Sequence, residues 1–228
     1  MTERAERIRA MLTDIETWNP FCHGTSTRFK EDIEKKGLRP RECDGEVCRP
    51  SAYEGKLESM PDRVYVARVQ PALGTCIFSA GRAAEKFGGE PVVFGIKLKK
   101  EDEERLASDE DADFFIDNSD ATGQCRTLLN EAARLDKETL WSSAYADRVP
   151  KEVVDEILKE IKKGGAFSEG EVDCVCKGLP RWVLSLITKW TVAKAGEVPP
   201  EKLRGPEPIA KLYYGVPGRE EAQRRLGA

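Results

Sequence analysis

The sequence predicts an α+β domain with flanking helices. Segments with strand-like alternation or continuous apolar character stand at residues 21–23, 63–67 and 91–98. Longer stretches with helical spacing of apolar residues lie around them. Proline and glycine mark the junctions, as at Asn19-Pro20, Gly37 and Gly164-Gly165. The length, 228 residues, is enough for one sizeable core.

Residues 4–18 read as an amphipathic helix, with Ile8, Met11, Leu12 and Ile15 at helical spacing, and Asn19-Pro20 breaks it. In the strand that follows, alternation sets Phe21 and His23 on one face and Cys22 on the other. Residues 27–36 suit a helix that Thr25-Ser26 can cap and Gly37 can stop. Residues 39–62 show no period and predict a long loop of the kind that carries function. In the next strand Val64 and Val66 share a face and Tyr65 takes the other. Residues 77–87 read as a helix whose Ala80, Ala83 and Ala84 allow close packing. Residues 91–98 are the strongest strand.

Residues 99–120 are very acidic and predict a solvated loop and helix face, with a short strand over 113–117. A short helix over 126–134, a strand over 140–145 and a helix over 151–163 follow. Trp182, Val183, Leu186, Ile187 and Trp190 line one face of a helix over 179–192, a pattern of core packing. From residue 195 proline and charge predict a tail that wraps the domain or docks a partner. The expected divisions are an N-terminal helix (1–18), a central domain (19–164) and a helical, proline-rich appendage (165–228).

The composition is 39% hydrophobic and 34% charged, with a net charge of −4. No global basic field draws in nucleic acid, although Arg28, Lys35, Lys36, Arg39, Arg41 and Arg49 make one segment locally basic. The N-terminal residues lack the apolar core of a signal peptide, and no apolar run reaches the ~20 residues that cross a bilayer. A cytoplasmic protein without membrane contact is expected. Seven cysteines then predict mostly reduced thiols. Cys43, Cys48, Cys174 and Cys176 could hold zinc if their loops met, but neither spacing is the usual one, so no metal is expected. A local disulfide between Cys43 and Cys48 is conceivable.

His23 is the only histidine and stands in Phe21-Cys22-His23-Gly24-Thr25-Ser26. It marks the one place where imidazole chemistry can occur. A strand ending in His-Gly-Thr precedes a helix closing on Gly37-Leu38-Arg39-Pro40. A strand carrying Tyr65 follows, then an alanine-rich helix, the strand Val92-Val93-Phe94-Gly95-Ile96, and Val149-Pro150 later in the chain. This series resembles the ADP-ribosyltransferase superfamily, which includes the RNA 2′-phosphotransferases, over roughly residues 20–160.

The resemblance implies split, strongly curved β-sheets with NAD in the cleft between them. It implies that His23 and Thr25 hold a ribose, that the Gly24 backbone meets the nicotinamide amide, and that Tyr65 stacks on the nicotinamide. NAD would be the substrate and nicotinamide a product. Active members carry a late-strand glutamate, but residues 140–145 hold no carboxylate. Ser142, Ser143 or the upstream Glu138 is left for that position, and Asp147 lies just downstream. The expected activity is transfer of ADP-ribose from NAD to a protein or nucleic-acid acceptor. One alternative is a 2′-phosphotransferase-like enzyme, with Arg39, Arg41 and Arg63 on phosphate and Trp141 on the late strand. Against it stand Tyr65, where that group has histidine, and the missing winged-helix portion. A toxin-like transferase holding its substrate on loop 41–62 is another. A binding module that kept the cleft and lost catalysis, or a scaffold docking through the Trp182/Trp190 helix, is the non-enzymatic alternative.

Overall fold

The computed structural model describes residues 2–40, 60, 62–110, 112, 113, 116, 121–135, 140, 146–213 and 216–227. Strand-forming segments rich in Val, Ile and Phe build one antiparallel sheet of six strands. They are β1 (Phe21–Ser26), β2 (Arg63–Arg68), β3 (Pro91–Ile96), β4 (Leu106–Ala107), β5 (Thr191–Ala195) and β6 (Leu203–Pro208). Their order across the sheet is β4-β5-β2-β1-β3-β6. The helices are α1 (Glu3–Leu12), α2 (Lys30–Lys36), α3 (Leu73–Phe87), α4 (Ala121–Ala132), α5 (Lys151–Gly164), α6 (Glu169–Cys176), α7 (Arg181–Lys189) and α8 (Arg219–Arg225). The mixed architecture with flanking helices agrees with the expected class. None of the described helices is long and apolar enough to cross a membrane.

Alternation sorts the strand residues onto two faces. Phe21, Val64, Val66, Val92, Phe94, Ile96 and Val192 join the main core with residues of α1, α4, α5, α6 and α7. Cys22, Ala67 and Val93 face a smaller core with Leu73, Cys76 and Ala80 of α3 and with Leu212, Ala222 and Leu226. Burying a side chain the size of Phe21 or Phe94 contributes ~1.5–3 kcal/mol, so the main core dominates stability. Trp182, Val183, Leu186 and Ile187 lie in it, as their pattern predicts, whereas Trp190 caps the helix end and packs against the smaller core.

Several boundaries differ from expectation. The first helix stops at Leu12. The Asp14 side chain then accepts from the Glu16 N–H and caps a short 3₁₀ turn, Ile15–Trp18, while Trp18 Nε1 donates to the Leu12 carbonyl at 2.9 Å. Ser26 caps a 3₁₀ turn before α2, and Gly37 ends α2 with φ +81°. No strand forms at the described positions of 113–117. The N–H groups of Ala112 and Asp113 instead donate back to Asp109 in a helical turn. Leu140 is helical, and residues 141–145 of the expected late strand lie outside the described residues.

The stretch from residue 165 supplies β5 and β6, so a boundary after 164 cuts through the sheet. Proline hid β6, which tolerates Pro206 and Pro208 because it pairs with β3 alone, at an edge. The acidic run also holds a buried member. Asp102, 4% exposed, takes Lys202 Nζ at 2.7 Å and faces the enclosed Lys194 at 3.8 Å. Burial lowers the Lys194 pKa, and Asp102 opposes that effect.

Candidate active site at the opening between β1 and β2

β1 pairs with β3 along its whole length, from Phe21↔Ile96 to Ser26↔Pro91. With β2 it pairs only at Phe21↔Arg68 and Cys22↔Ala67. β2 continues instead along β5, with Tyr65 opposite Ala193. The ladder between β1 and β2 therefore stops where His23-Gly24-Thr25 begins.

The imidazole crosses that opening. His23 Nδ1 lies 2.9 Å from the Tyr65 carbonyl oxygen. A carbonyl only accepts, so Nδ1 carries the proton and Nε2 is the acceptor of the neutral ring. The half-buried ring thus has a fixed orientation and tautomer. The two rings do not face each other across one pocket. Cys22 and Ala67 share the α3 face, and alternation places Gly24 and Tyr65 there too, while His23 follows Phe21 onto the other. The histidine meets Tyr65 through the backbone.

Gly24 serves the helix. A Cβ there would lie 1.9 Å from the Cys76 carbonyl oxygen and 2.8 Å from the Ala80 nitrogen. Helix α3 fills the space, so the side-chain face of Gly24 is closed to any ligand and only its backbone edge remains for an amide. Thr25 is buried, 5% exposed, opposite Val92.

Tyr65 sits among polar groups. Its hydroxyl oxygen accepts from the Met60 N–H at 2.8 Å. Burial, and then the adjoining Glu110 carboxylate, raise the phenol well above its ordinary titration range. Arg63 Nη1 lies 3.5 Å from Glu110 Oε1, and Arg63 Nε is 3.7 Å from Asp62. Two buried atoms in this corner, Arg63 Nε and Glu110 Oε1, have no hydrogen-bond partner. Buried polar atoms are rarely left so.

Arg39 is turned away onto Asp32 at 3.1 Å, and Arg63 is committed to carboxylates. Ser142, Ser143, Glu138, Trp141, Arg41, Cys43 and Cys48 lie outside the described residues. Sequence reading missed Glu110, because it stands inside the acidic run Asp109-Glu110-Asp111 and shows no pattern of its own. Only the return of that run from β4 beside β2 singles it out. No cluster able to hold a metal is found among the described residues.

Comparison with known proteins finds no matching family model, no matching curated protein and no matching solved structure.

Proposed function

We propose that the chain is a cytoplasmic ADP-ribosyltransferase that takes NAD as substrate, places its nicotinamide against Tyr65 at the β1–β2 opening, and transfers ADP-ribose to a macromolecular acceptor. The observation that carries this is the parting of β1 from β2 where the only histidine, held by the Tyr65 carbonyl, spans the gap. The orphaned atoms support it further. Arg63 Nε and Glu110 Oε1 are a donor and an acceptor of the kinds that a carboxamide pairs with, and they lie beside Tyr65 without hydrogen-bond partners. Tyr65 offers a flat ring for stacking.

Cleavage of the nicotinamide–ribose bond develops positive charge on the ribose, as glycoside cleavage does. The His23 imidazole, bound through Nδ1 to the Tyr65 carbonyl from the other face of the sheet, fixes the strand edge against which the ribose would lie. The Glu110 carboxylate supplies the negative charge that residues 140–145 lack.

Calorimetric titration of NAD into wild type and His23→Ala tests the site, since equal affinity in the two removes it. Incubation with labelled NAD tests the chemistry. Binding without labelled product or free nicotinamide identifies a non-catalytic module instead.

A further inference from the structure

The proposed chemistry uses none of the seven cysteines, and among the described residues Cys22 meets Cys76, as Cys125 meets Cys176. Cys22 on β1 and Cys76 on α3 are 0% and 4% exposed. Their sulfurs lie 2.8 Å apart, inside the ~3.5–4.0 Å of ordinary non-bonded carbon contact. The Cys76 thiol is also 3.2 Å from the Cys22 carbonyl oxygen. The missing side chain of Gly24 explains the contact, because it lets the backbone of α3 at Cys76 settle directly on β1. A disulfide needs such an approach, with Cα atoms ~4.4–6.8 Å apart.

We infer that Cys22 and Cys76 are a modification site, an intramolecular disulfide between β1 and α3 formed with a low-molecular-weight disulfide as oxidant. When α3 lifts, one thiol gives its proton to solvent and its thiolate attacks oxidised glutathione, expelling one glutathione thiolate. The second cysteine, deprotonated in turn, attacks the mixed disulfide and expels the other. Two protein thiols and one oxidised glutathione become one protein disulfide and two reduced glutathiones. Burial and the neighbouring thiol push Cys22 well up, so the closed pair is slow to react and oxidation follows opening. The cross-link joins residues 54 positions apart and anchors the strand immediately before His23.

The full chain is oxidised with glutathione disulfide, alkylated in denaturant and digested with trypsin. Peptides 10–28 and 69–82 each hold one cysteine, Cys22 and Cys76. They are expected as a linked pair that reductant separates, and the oxidised chain is expected to melt roughly 10 °C above the reduced one. Cys76→Ala, or Cys22→Ala should the first variant not fold, removes both the linked pair and the melting difference. Recovery of both peptides alkylated after oxidation overturns the inference. So does glutathione left on either cysteine, or linkage of either to another cysteine.

Discussion

Gly24→Ala puts the packing of α3 on β1 to a quantitative test. The new methyl group would stand 1.9 Å from one backbone atom of α3 and 2.8 Å from another. No rotamer change relieves a clash with backbone, so helix and strand must separate. Overpacking costs ~1–3 kcal/mol and occasionally more, and this site belongs at the upper end, about 3 kcal/mol. For a chain of this length that lowers Tm by roughly 6–12 °C. The control is Gly81→Ala in the same helix, where nothing lies within 4 Å of the added carbon. Replacing a helix-interior glycine there should raise stability by ~0.5–1 kcal/mol. Urea unfolding followed by circular dichroism gives both values. A Gly24→Ala protein that keeps wild-type stability but no longer binds NAD would refute the packing explanation and return the glycine to the ligand.

Three further perturbations follow from the buried charges and the phenol. Asp102→Asn leaves the enclosed Lys194 without a carboxylate and Lys202 with only the exposed Glu101, and urea titration at pH 7 should show a loss of ~3–5 kcal/mol. Glu171, at the start of α6, accepts from Ser168, Thr2 and Arg4, and chiefly the Arg4 hydrogen bond holds its pKa far below the carboxylate range. Its stabilisation is present above the unfolded value near 4.5 and lost as pH falls, so Glu171→Gln should cost ~1–2 kcal/mol at pH 7 and progressively less below pH ~4. For Tyr65 the sign reverses. Its neutral form is favoured in the folded state, so its stabilisation holds below pH ~10 and fades above, and Tyr65→Phe should flatten that alkaline decline in thermal melts.

Periodicity found the sheet where strands carry apolar alternation and lost it elsewhere. Val64 and Val66 face the main core and Tyr65 the other side, as their spacing predicts. β5 was invisible because Thr191–Ala195 runs straight on from the helical stripe, broken only by Trp190 at φ +61°. That left-handed turn cannot be read from a tryptophan. Burial of Asp102 was equally hidden, because its partners Lys194 and Lys202 come from β5 and the turn after it. His23 stood out by being single. Its contact with Tyr65 did not follow from alternation, which separates the two rings, and depends on where the ladder stops.

Glu110→Gln tests the role proposed for the carboxylate beside Tyr65. A neutral amide at residue 110 keeps shape and hydrogen bonding but removes charge from beside Tyr65 and Arg63. Loss of one preorganised electrostatic group at a reacting centre typically costs ~10²–10³-fold in turnover. NAD cleavage should fall by about that factor while NAD affinity changes little. The same substitution has a readout that needs no substrate. Glu110 helps to push the Tyr65 phenol up, so its neutralisation must bring the phenol's ultraviolet titration down toward the ordinary range. A lowered phenol titration with unchanged cleavage would place the carboxylate beside the tyrosine but outside the chemistry. An unmoved phenol titration would refute the electrostatic contact from which the role of Glu110 was argued.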